Sequence, residues 1–214
     1  MLYVALKFDV VRSRSVANRQ LLQDRMFALV ADANAQFSTR LASQLTVTHG
    51  DEVQGLLKAE HIAACLPLCE HFIDGLQPQR IRIGAGVGRL ATKLQPTAVG
   101  MDGEAWYRAQ SAIERARRTR AIFVLEGSNR LLEEDINAVL NFLLSHRSNW
   151  TDNQREAVRL LQSLGSQQAV ASHLRISKAA VSKRLAGCMW DKYQALRQTA
   201  ERQLQRYIAA ISPR

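Results

Sequence analysis

The stretch QQAVASHLRISKAAVSKRL, residues 167–185, predicts two short helices joined by a tight turn. Its apolar residues recur at helical spacing before and after the turn, at Val170, Ala171, Leu174, Ile176, Val181 and Leu185. Ser177 stands where a hydroxyl can cap the second helix. A small residue such as Ala171 allows two helices to cross closely, so the apolar set would fix the angle between them. The spacing is that of a helix-turn-helix.

The positive charge of the chain is concentrated around this motif. Residues 148–214 hold 11 Lys and Arg against 4 Asp and Glu, which is +7 of the total net charge of +10. Local positive charge favours nucleic acid because it releases counterions from the phosphate backbone. We therefore expect the second helix to contact double-stranded DNA through Ser177, Lys178, Ser182, Lys183 and Arg184. The alternatives are a basic surface that is merely solvated, and helices that only pack or dimerise.

The motif resembles the helix-turn-helix of sigma-factor region four and of response-regulator output domains. It departs from them at Arg175, where such motifs often carry glycine in the left-handed conformation. A residue other than glycine costs roughly 1 kcal/mol in that conformation. We therefore expect a strained turn.

Further helices are predicted on both sides of the motif. Thr151 and Gln154 form a capping-box pattern that opens a helix over Asp152–Leu164. Beyond Gly187, one long helix is predicted by a stripe of apolar residues at Met189, Tyr193, Leu196, Ala200, Leu204, Tyr207 and Ile211. This stripe needs a partner surface, either the rest of the chain or a second copy. A homodimer is expected because helix-turn-helix proteins commonly read two half-sites.

Residues 1–147 alternate between strand and helix signals. Apolar runs predict strands at residues 2–8, Leu45–Thr48, Val53–Leu57, Ile81–Val87 and Ala121–Leu125. Amphipathic patterns predict helices at residues 21–30, His61–Leu76, Glu104–Arg118 and 131–146. This order predicts an α/β (α+β) fold with an antiparallel or mixed sheet and helices packed on one face. Residues 147–150 are expected to be a linker, which divides the chain into residues 1–147 and an all-α domain at residues 148–214.

The composition excludes several classes of protein. No apolar run reaches the roughly 18 residues of a membrane-spanning helix, and the start MLYVALKFDV lacks the features of a signal peptide. The three cysteines have neither disulfide-framework nor metal-finger spacing. We expect a cytoplasmic protein that does not contact membranes.

Two aspartates stand where strands end. Asp9 follows the first strand, and Asp51 lies in a predicted hairpin with His49, Gly50 and Glu52. Paired carboxylates can hold Mg²⁺, which in turn binds nucleotide phosphates. Amides and hydroxyls of the loop after the first strand can cradle the phosphate oxygens, and here that loop comprises Val10, Val11, Arg12 and Ser13. An aspartate in a turn is also a common turn former.

Larger motifs extend this pattern. The stretches YVALKFDVVRSR, GDEVQGLL and MDGEAWYRA resemble the SatD family of bacterial proteins and, beyond it, the class III nucleotidyl cyclases and GGDEF diguanylate cyclases. The resemblance covers nearly the whole chain. It implies a ferredoxin-like, nucleotidyl-cyclase-type domain with Asp9 and Asp51 at the two metal-binding positions, followed by the helix-turn-helix.

The chain departs from the cyclases at two positions. Class III cyclases use an Asn and an Arg four residues later to orient ribose and to stabilise charge on the transferred phosphoryl group. Those positions hold Tyr107 and Ser111 here, with Arg108 and Arg115 nearby. We therefore expect a DNA-binding transcriptional regulator whose cyclase-like domain is catalytically inactive and serves nucleotide sensing or dimerisation. The alternative is a cyclase-like enzyme that acts on purine nucleoside triphosphates while tethered to DNA or to RNA polymerase.

The remaining candidate residues have simpler explanations. His61, Cys65, Cys69 and His71 could form a zinc site, but their apolar neighbours favour core packing. Trp106 and Tyr107 could stack on a base, although aromatic residues at the start of a helix are more often core. His49 could touch a ligand, which is unusual for a histidine at a strand end.

Overall fold

The computed structural model describes residues 1–48 and 50–212, so His49 lies outside the described residues. The strands are β1 (Tyr3–Val10), β2 (Leu41–Val47), β3 (Glu52–Lys58), β4 (Ile81–Gly88) and β5 (Phe123–Glu126). The helices are α1 (Arg19–Gln36), α2 (Cys65–Gly75), α3 (Glu104–Thr119), α4 (Arg130–Ser148), α5 (Asp152–Leu164), α6 (Gln167–Leu174), α7 (Lys178–Gly187) and α8 (Trp190–Ile211). Two short 3₁₀ segments span Ser13–Ser15 and Ala59–Ala64. The predicted order of strands and helices is confirmed.

The five strands form one mixed sheet in the order β2-β3-β1-β4-β5. Neighbouring strands are antiparallel except for β4 and β5, which are parallel. β2 begins at Leu41, four residues before its predicted start. Its register against β3 shifts twice, and these irregularities interrupt the period-two pattern by which a strand is recognised in sequence.

Helices cover both faces of the sheet, so the prediction that they pack on one face is wrong. Val4, Leu6 and Phe8 of β1 belong to the large core shared with α1, α2 and α4. Ala5 points to the other face, where it packs with Ala105 and Ala109 of α3. The reason is the composition of β1 and β4, whose central residues are buried on both sides. A strand buried on both faces needs cover on both faces.

Small residues allow α3 to lie close to β4. A Cβ added to Gly84 would lie 2.5 Å from the backbone nitrogen of Ile113, and one added to Gly86 would meet the backbone nitrogen of Ala109 at still shorter range. Ala105, Ala109, Ala112 and Ala116 form the facing side of the helix, and all four are buried. The alternating glycines of IRIGAGVG therefore form a seat for α3.

The C-terminal helices begin and end where the local signals predicted. The capping box between Thr151 and Gln154 is present, and Gly165 ends α5 with φ +77°. Arg175 adopts the left-handed conformation at φ +53°, as its place in the turn predicted. The Ser177 hydroxyl accepts a hydrogen bond from the Ala180 amide at 3.1 Å and so caps α7.

The long helix α8 packs back on the first part of the chain, against α4 and the segment Ala59–Ala64. Its predicted stripe is covered there, because Tyr193, Ala200, Leu204 and Tyr207 are buried. Near its C-terminal end, the Tyr207 hydroxyl donates to Oε1 of Glu133 at 2.7 Å and accepts from the Ser128 amide at 3.2 Å. Of the two partner surfaces that the sequence left open for this stripe, the structure shows the rest of the chain.

The predicted linker is part of the core. Arg147 lies within α4, and Trp150 packs against the rings of Trp190 and Tyr193 at centroid distances of 6.1 and 4.8 Å. One cluster of apolar core residues runs from β1 to α8. The division of the chain near residue 148 remains a prediction.

A network of buried charges fastens α8 to α2 and α4. Glu70 of α2 accepts from the Tyr193 hydroxyl at 2.6 Å and from Nε of Arg197 at 3.0 Å. Arg147 lies 3.5 Å from the same carboxylate and forms two hydrogen bonds with Asp74, at 2.6 and 3.1 Å. Burial alone would lower the pKa of Arg147, but the carboxylates of Glu70 and Asp74 outweigh it and raise the pKa above its usual value. We refer to Glu70, Asp74, Arg147, Tyr193 and Arg197 as the buried charge network.

Candidate functional site

The end of β1 forms one wall of an open cleft of about 580 Å³. Pairing of the strands places Asp9 beside Glu52 of β3 and Arg82 of β4, and Asp51 immediately precedes β3. The cleft is lined by Asp9, Val10, Arg12, Ser13, Arg14, Arg19, Asp51, Glu52, Arg82 and Arg117. We call it the arginine cleft. Asp9 and Asp51, which the sequence predicted as a pair, thus line the same cleft.

Both aspartates already accept hydrogen bonds from the protein. Oδ2 of Asp9 lies 3.1 Å from a terminal nitrogen of Arg82 and 3.3 Å from one of Arg117. Oδ2 of Asp51 accepts a hydrogen bond from the Ser13 hydroxyl. Arg82 and Arg117 were not predicted as site residues, because they lie 73 and 108 positions from Asp9 along the chain.

This arrangement does not fit the Mg²⁺ site that the resemblance implied. Mg²⁺ requires oxygen ligands at about 2.0–2.1 Å in near-ideal octahedral geometry. A carboxylate oxygen that two guanidinium groups already engage is a poor ligand, since a cation would have to displace positive groups from it. Within residues 1–48 and 50–212, no group of three or more His, Cys, Asp or Glu side chains is placed to hold a metal ion.

The loop after β1 offers fewer amides than expected. The Val10 amide donates to the Asp51 carbonyl at 3.2 Å, and the Val11 amide donates to the Arg80 carbonyl at 2.8 Å. These two amides therefore cannot also cradle a phosphate, which corrects the expectation for Val10 and Val11. Arg12 turns the chain through the left-handed conformation at φ +56° and leaves its side chain exposed.

Positive charge dominates the cleft. Five arginines line it against three carboxylates. Arg12, Arg14 and Arg19 are exposed, and no described carboxylate lies within ion-pair distance of their guanidinium groups. A cleft with this excess of unpaired cations attracts anions, and guanidinium groups bind phosphate oxygens well.

The positions that correspond to the cyclase Asn and Arg lie outside this cleft. Tyr107 is 61% exposed, and its hydroxyl donates to Asp102 at 2.7 Å, which raises the pKa of the phenol. Ser111 is exposed on α3. Arg108 pairs with Glu104 at 2.6 Å, and neither Arg108 nor Arg115 lines the cleft.

Of the candidate zinc residues, the two cysteines belong to the core, as the simpler explanation predicted, whereas His61 and His71 are half-buried. Cys65 and Cys69 are fully buried. Burial raises the pKa of the Cys65 thiol to about 12. Trp106 of α3 is likewise buried, in a cluster with Ala5 and Leu56 of the sheet, whereas Tyr107 beside it is exposed.

A second candidate surface is the outer face of α7. Lys178, Ser182 and Lys183 are exposed, on a helix whose other side buries Val181 and Leu185. Arg184 differs from them, since it is half-buried and lies 3.4 Å from Glu156 of α5. It therefore holds α7 against α5, unlike its three exposed neighbours.

Residues 3–204 match the model of a protein family described as the SatD family. No match was found among curated proteins. Among solved structures, a bacterial light-regulated adenylyl cyclase matches over 58% of this chain and 43% of its own, at 15% identity and a TM-score of 0.45. A microbial GGDEF domain described with cyclic di-GMP matches over 58% of this chain and 77% of its own, at 20% identity and a TM-score of 0.42. A guanylyl cyclase domain from the fungus Blastocladiella emersonii matches over 53% and 73%, at 13% identity and a TM-score of 0.41. The chain thus spans less than half of the light-regulated cyclase.

Proposed function

Since this chain belongs to the SatD family and carries both an arginine-lined cleft and an exposed basic helix, we propose that it is a DNA-binding transcriptional regulator. In this proposal α7 contacts double-stranded DNA, and the arginine cleft binds a nucleotide that the protein senses. The observation that carries the first part is the outer face of α7, with Lys178, Ser182 and Lys183 exposed together.

The packing of α7 supports its role as a recognition helix. Val170 and Ala171 of α6 and Val181 and Leu185 of α7 are buried, so the angle between the two helices is set by the core. α7 has ten residues and is about 15 Å long, and a B-DNA major groove is about 12 Å wide. Lysines on the outer face would neutralise phosphates, and Ser182 between them would face base edges.

We propose that the arginine cleft binds a nucleotide but does not convert it to a cyclic product. A cyclase needs groups that orient ribose and stabilise the transferred phosphoryl charge, and Tyr107 and Ser111 lie outside the cleft. Incubation of the protein with ATP or GTP and a divalent cation is therefore expected to yield no cyclic nucleotide above that of an Asp9→Ala, Asp51→Ala control. Cyclic product above that control would support the enzyme alternative.

A homodimer remains part of the proposal, with a restricted choice of surface. The buried residues of α8 face α4 within the chain, so a dimer would need a different surface. Dimerisation would place two copies of α7 on successive half-sites about 34–36 Å apart.

The DNA-binding proposal is tested by selection of bound sequences from a random duplex pool, followed by titration of the enriched duplex. The variant Lys178→Ala, Lys183→Ala is expected to bind any duplex more weakly, with a salt slope smaller by about 0.9 for each lost phosphate contact. The matched control is Lys192→Ala, Arg206→Ala, which removes two exposed charges from α8. Ser182→Ala is expected to alter sequence preference by about 1–3 kcal/mol if Ser182 reaches a base.

Equal affinity of the wild type and the α7 variant would refute this role of α7. Failure to enrich any sequence would leave the C-terminal helices as a packing or protein-docking unit.

A further inference from the structure

We infer that the arginine cleft binds the oligophosphate chain of its ligand directly through guanidinium groups, without a divalent metal. The inference rests on the proposed nucleotide binding and names the part of the ligand that is recognised and the means of recognition. The guanidinium groups thus take the role of the metal ion that Asp9 and Asp51 were expected to hold.

Asp9 holds two arginines of the cleft in place. Its side chain is 12% exposed and lies between Arg82 and Arg117, whose side chains are 20% and 55% exposed. One nitrogen of each guanidinium approaches the carboxylate, and a guanidinium has five N–H donors. Asp9 thus fixes two arginines while most of their donors remain available. It acts as a positioning residue for cations.

Three further arginines of the cleft have no described carboxylate within ion-pair distance. Arg12, Arg14 and Arg19 belong to the loop after β1 and the start of α1, and each is exposed at the rim of the cleft. Ser13 and Asp51 hold this loop against β3 through their hydrogen bond. The cleft thus combines three exposed arginines with two that Asp9 holds, which suits an anion with several negative groups in a row.

The lining of the cleft offers little for recognition of a nucleotide base. Among the described residues that line it, none is aromatic and Val10 is the only aliphatic one. A base bound in the cleft would therefore have no aromatic ring to stack on and almost no apolar surface to contact. The cleft is therefore expected to distinguish phosphate from its absence much better than one base from another, whether the oligophosphate belongs to a nucleotide or is inorganic.

Mg²⁺ and the arginines of the cleft would compete for the same triphosphate oxygens. Mg²⁺ bound to a triphosphate removes part of the negative charge that the arginines attract. Added Mg²⁺ is thus expected to weaken binding here, whereas a site built from metal-binding aspartates would require it.

The test is isothermal titration of the full chain with GTP, ATP, inorganic triphosphate and guanosine, each in EDTA and in excess Mg²⁺. We expect the three triphosphates to bind in EDTA with similar affinity, Mg²⁺ to weaken them, and guanosine not to bind. Arg12→Gln, Arg14→Gln should raise the Kd about a hundredfold, since each arginine lost removes a charge-assisted hydrogen bond that contributes about tenfold. The control Arg118→Gln, Arg159→Gln removes two exposed arginines outside the cleft and should bind as the wild type does.

Asp9→Asn separates the two models of the site. The arginine model predicts retained or tighter binding, because the asparagine amide oxygen can still accept hydrogen bonds from Arg82 and Arg117 while the competing negative charge is gone; a metal site predicts loss. If this variant does not fold, the EDTA comparison on the wild type decides alone.

Binding only in Mg²⁺ would overturn the inference and leave the proposed nucleotide sensing intact. Absence of binding in both buffers would overturn both. Binding of guanosine as tight as that of GTP, or an unchanged Kd in Arg12→Gln, Arg14→Gln, would also overturn the inference. So would a loss of duplex DNA binding in that variant without a loss of triphosphate binding, since the cleft would then hold DNA phosphates.

Discussion

Arg147→Met tests whether the buried charge network joins α8 to the rest of the chain. The side chains of Arg147 and Glu70 are 9% and 8% exposed, and methionine keeps much of the packing while it removes the charge. Removing one partner of a buried ion pair costs about 3–5 kcal/mol. Glu70 retains Arg197 and Tyr193 as donors, so we expect the lower end, about 3 kcal/mol. In a chain of this size that corresponds to a fall in Tm of about 6–12 °C.

The assay is urea and thermal unfolding followed by circular dichroism. The matched control is Arg130→Met, which removes an arginine from the other end of the same helix. Arg130 is 87% exposed and pairs with Glu134 at 2.9 Å. Exposed pairs of this spacing contribute little, so the control is expected to unfold with the wild type. A loss of stability in Arg147→Met no larger than in Arg130→Met would refute the reasoning.

Two further predictions concern stability. Burial raises the pKa of Cys65 from 9.0 to about 12; because the unfolded thiol ionises first, the free energy of unfolding should fall by about 1.4 kcal/mol per pH unit between those values. Urea titrations at several alkaline pH values should show this decline, and Cys65→Ala should make it shallower by this contribution, since burial also raises the pKa of the Cys69 thiol. Gly86→Ala should destabilise the protein by about 3 kcal/mol, because its methyl group would strike the backbone of α3. The control Gly187→Ala, where the nearest contact is the flexible end of Gln154, should not be destabilised in this way. An unchanged urea midpoint in Gly86→Ala would contradict the close packing of α3 on β4.

Local signals carried most of the correct predictions. The capping box at Thr151, the stop at Gly165 and the cap at Ser177 depend on residues within three or four positions of one another. The turn at Arg175 was also predictable, since the apolar spacing on either side requires a reversal there even without glycine. These features needed no knowledge of the rest of the fold.

The placement of α3 needed information that a single element does not contain. Its own pattern predicts a helix with one buried side but not the face of the sheet that it covers. The signal lay in β4, where glycine at positions 84, 86 and 88 leaves one side of the strand without side chains. A strand of that composition indicates close approach of another backbone, and α3 provides it.

The candidate site was predicted in position but not in chemistry. Asp9 and Asp51 reach one cleft because β1 and β3 are neighbours; the hairpin pattern predicted only that β2 pairs with β3, and the placing of the two aspartates in one site came from the family resemblance. The partners of Asp9 come from β4 and from the end of α3, and no local pattern links those positions to it. The buried charge network was missed for the same reason, although a glutamate within the apolar run CLPLCEHFI was a signal that Glu70 needs a buried partner.

The two proposed binding surfaces are connected by packing, and this decides how regulation must be measured. Phe8, next to Asp9, packs against Phe72 of α2 at a centroid distance of 4.5 Å. The same helix carries Glu70, which holds Tyr193 and Arg197 of α8. A contiguous route does not by itself transmit a signal, because coupling requires two arrangements that both sites bias. Coupling between two binding equilibria is reciprocal. If an oligophosphate changes DNA affinity by some factor, DNA must therefore change oligophosphate affinity by the same factor, and complete mutual exclusion of the two would mean that the ligand occupies α7 or that DNA enters the arginine cleft.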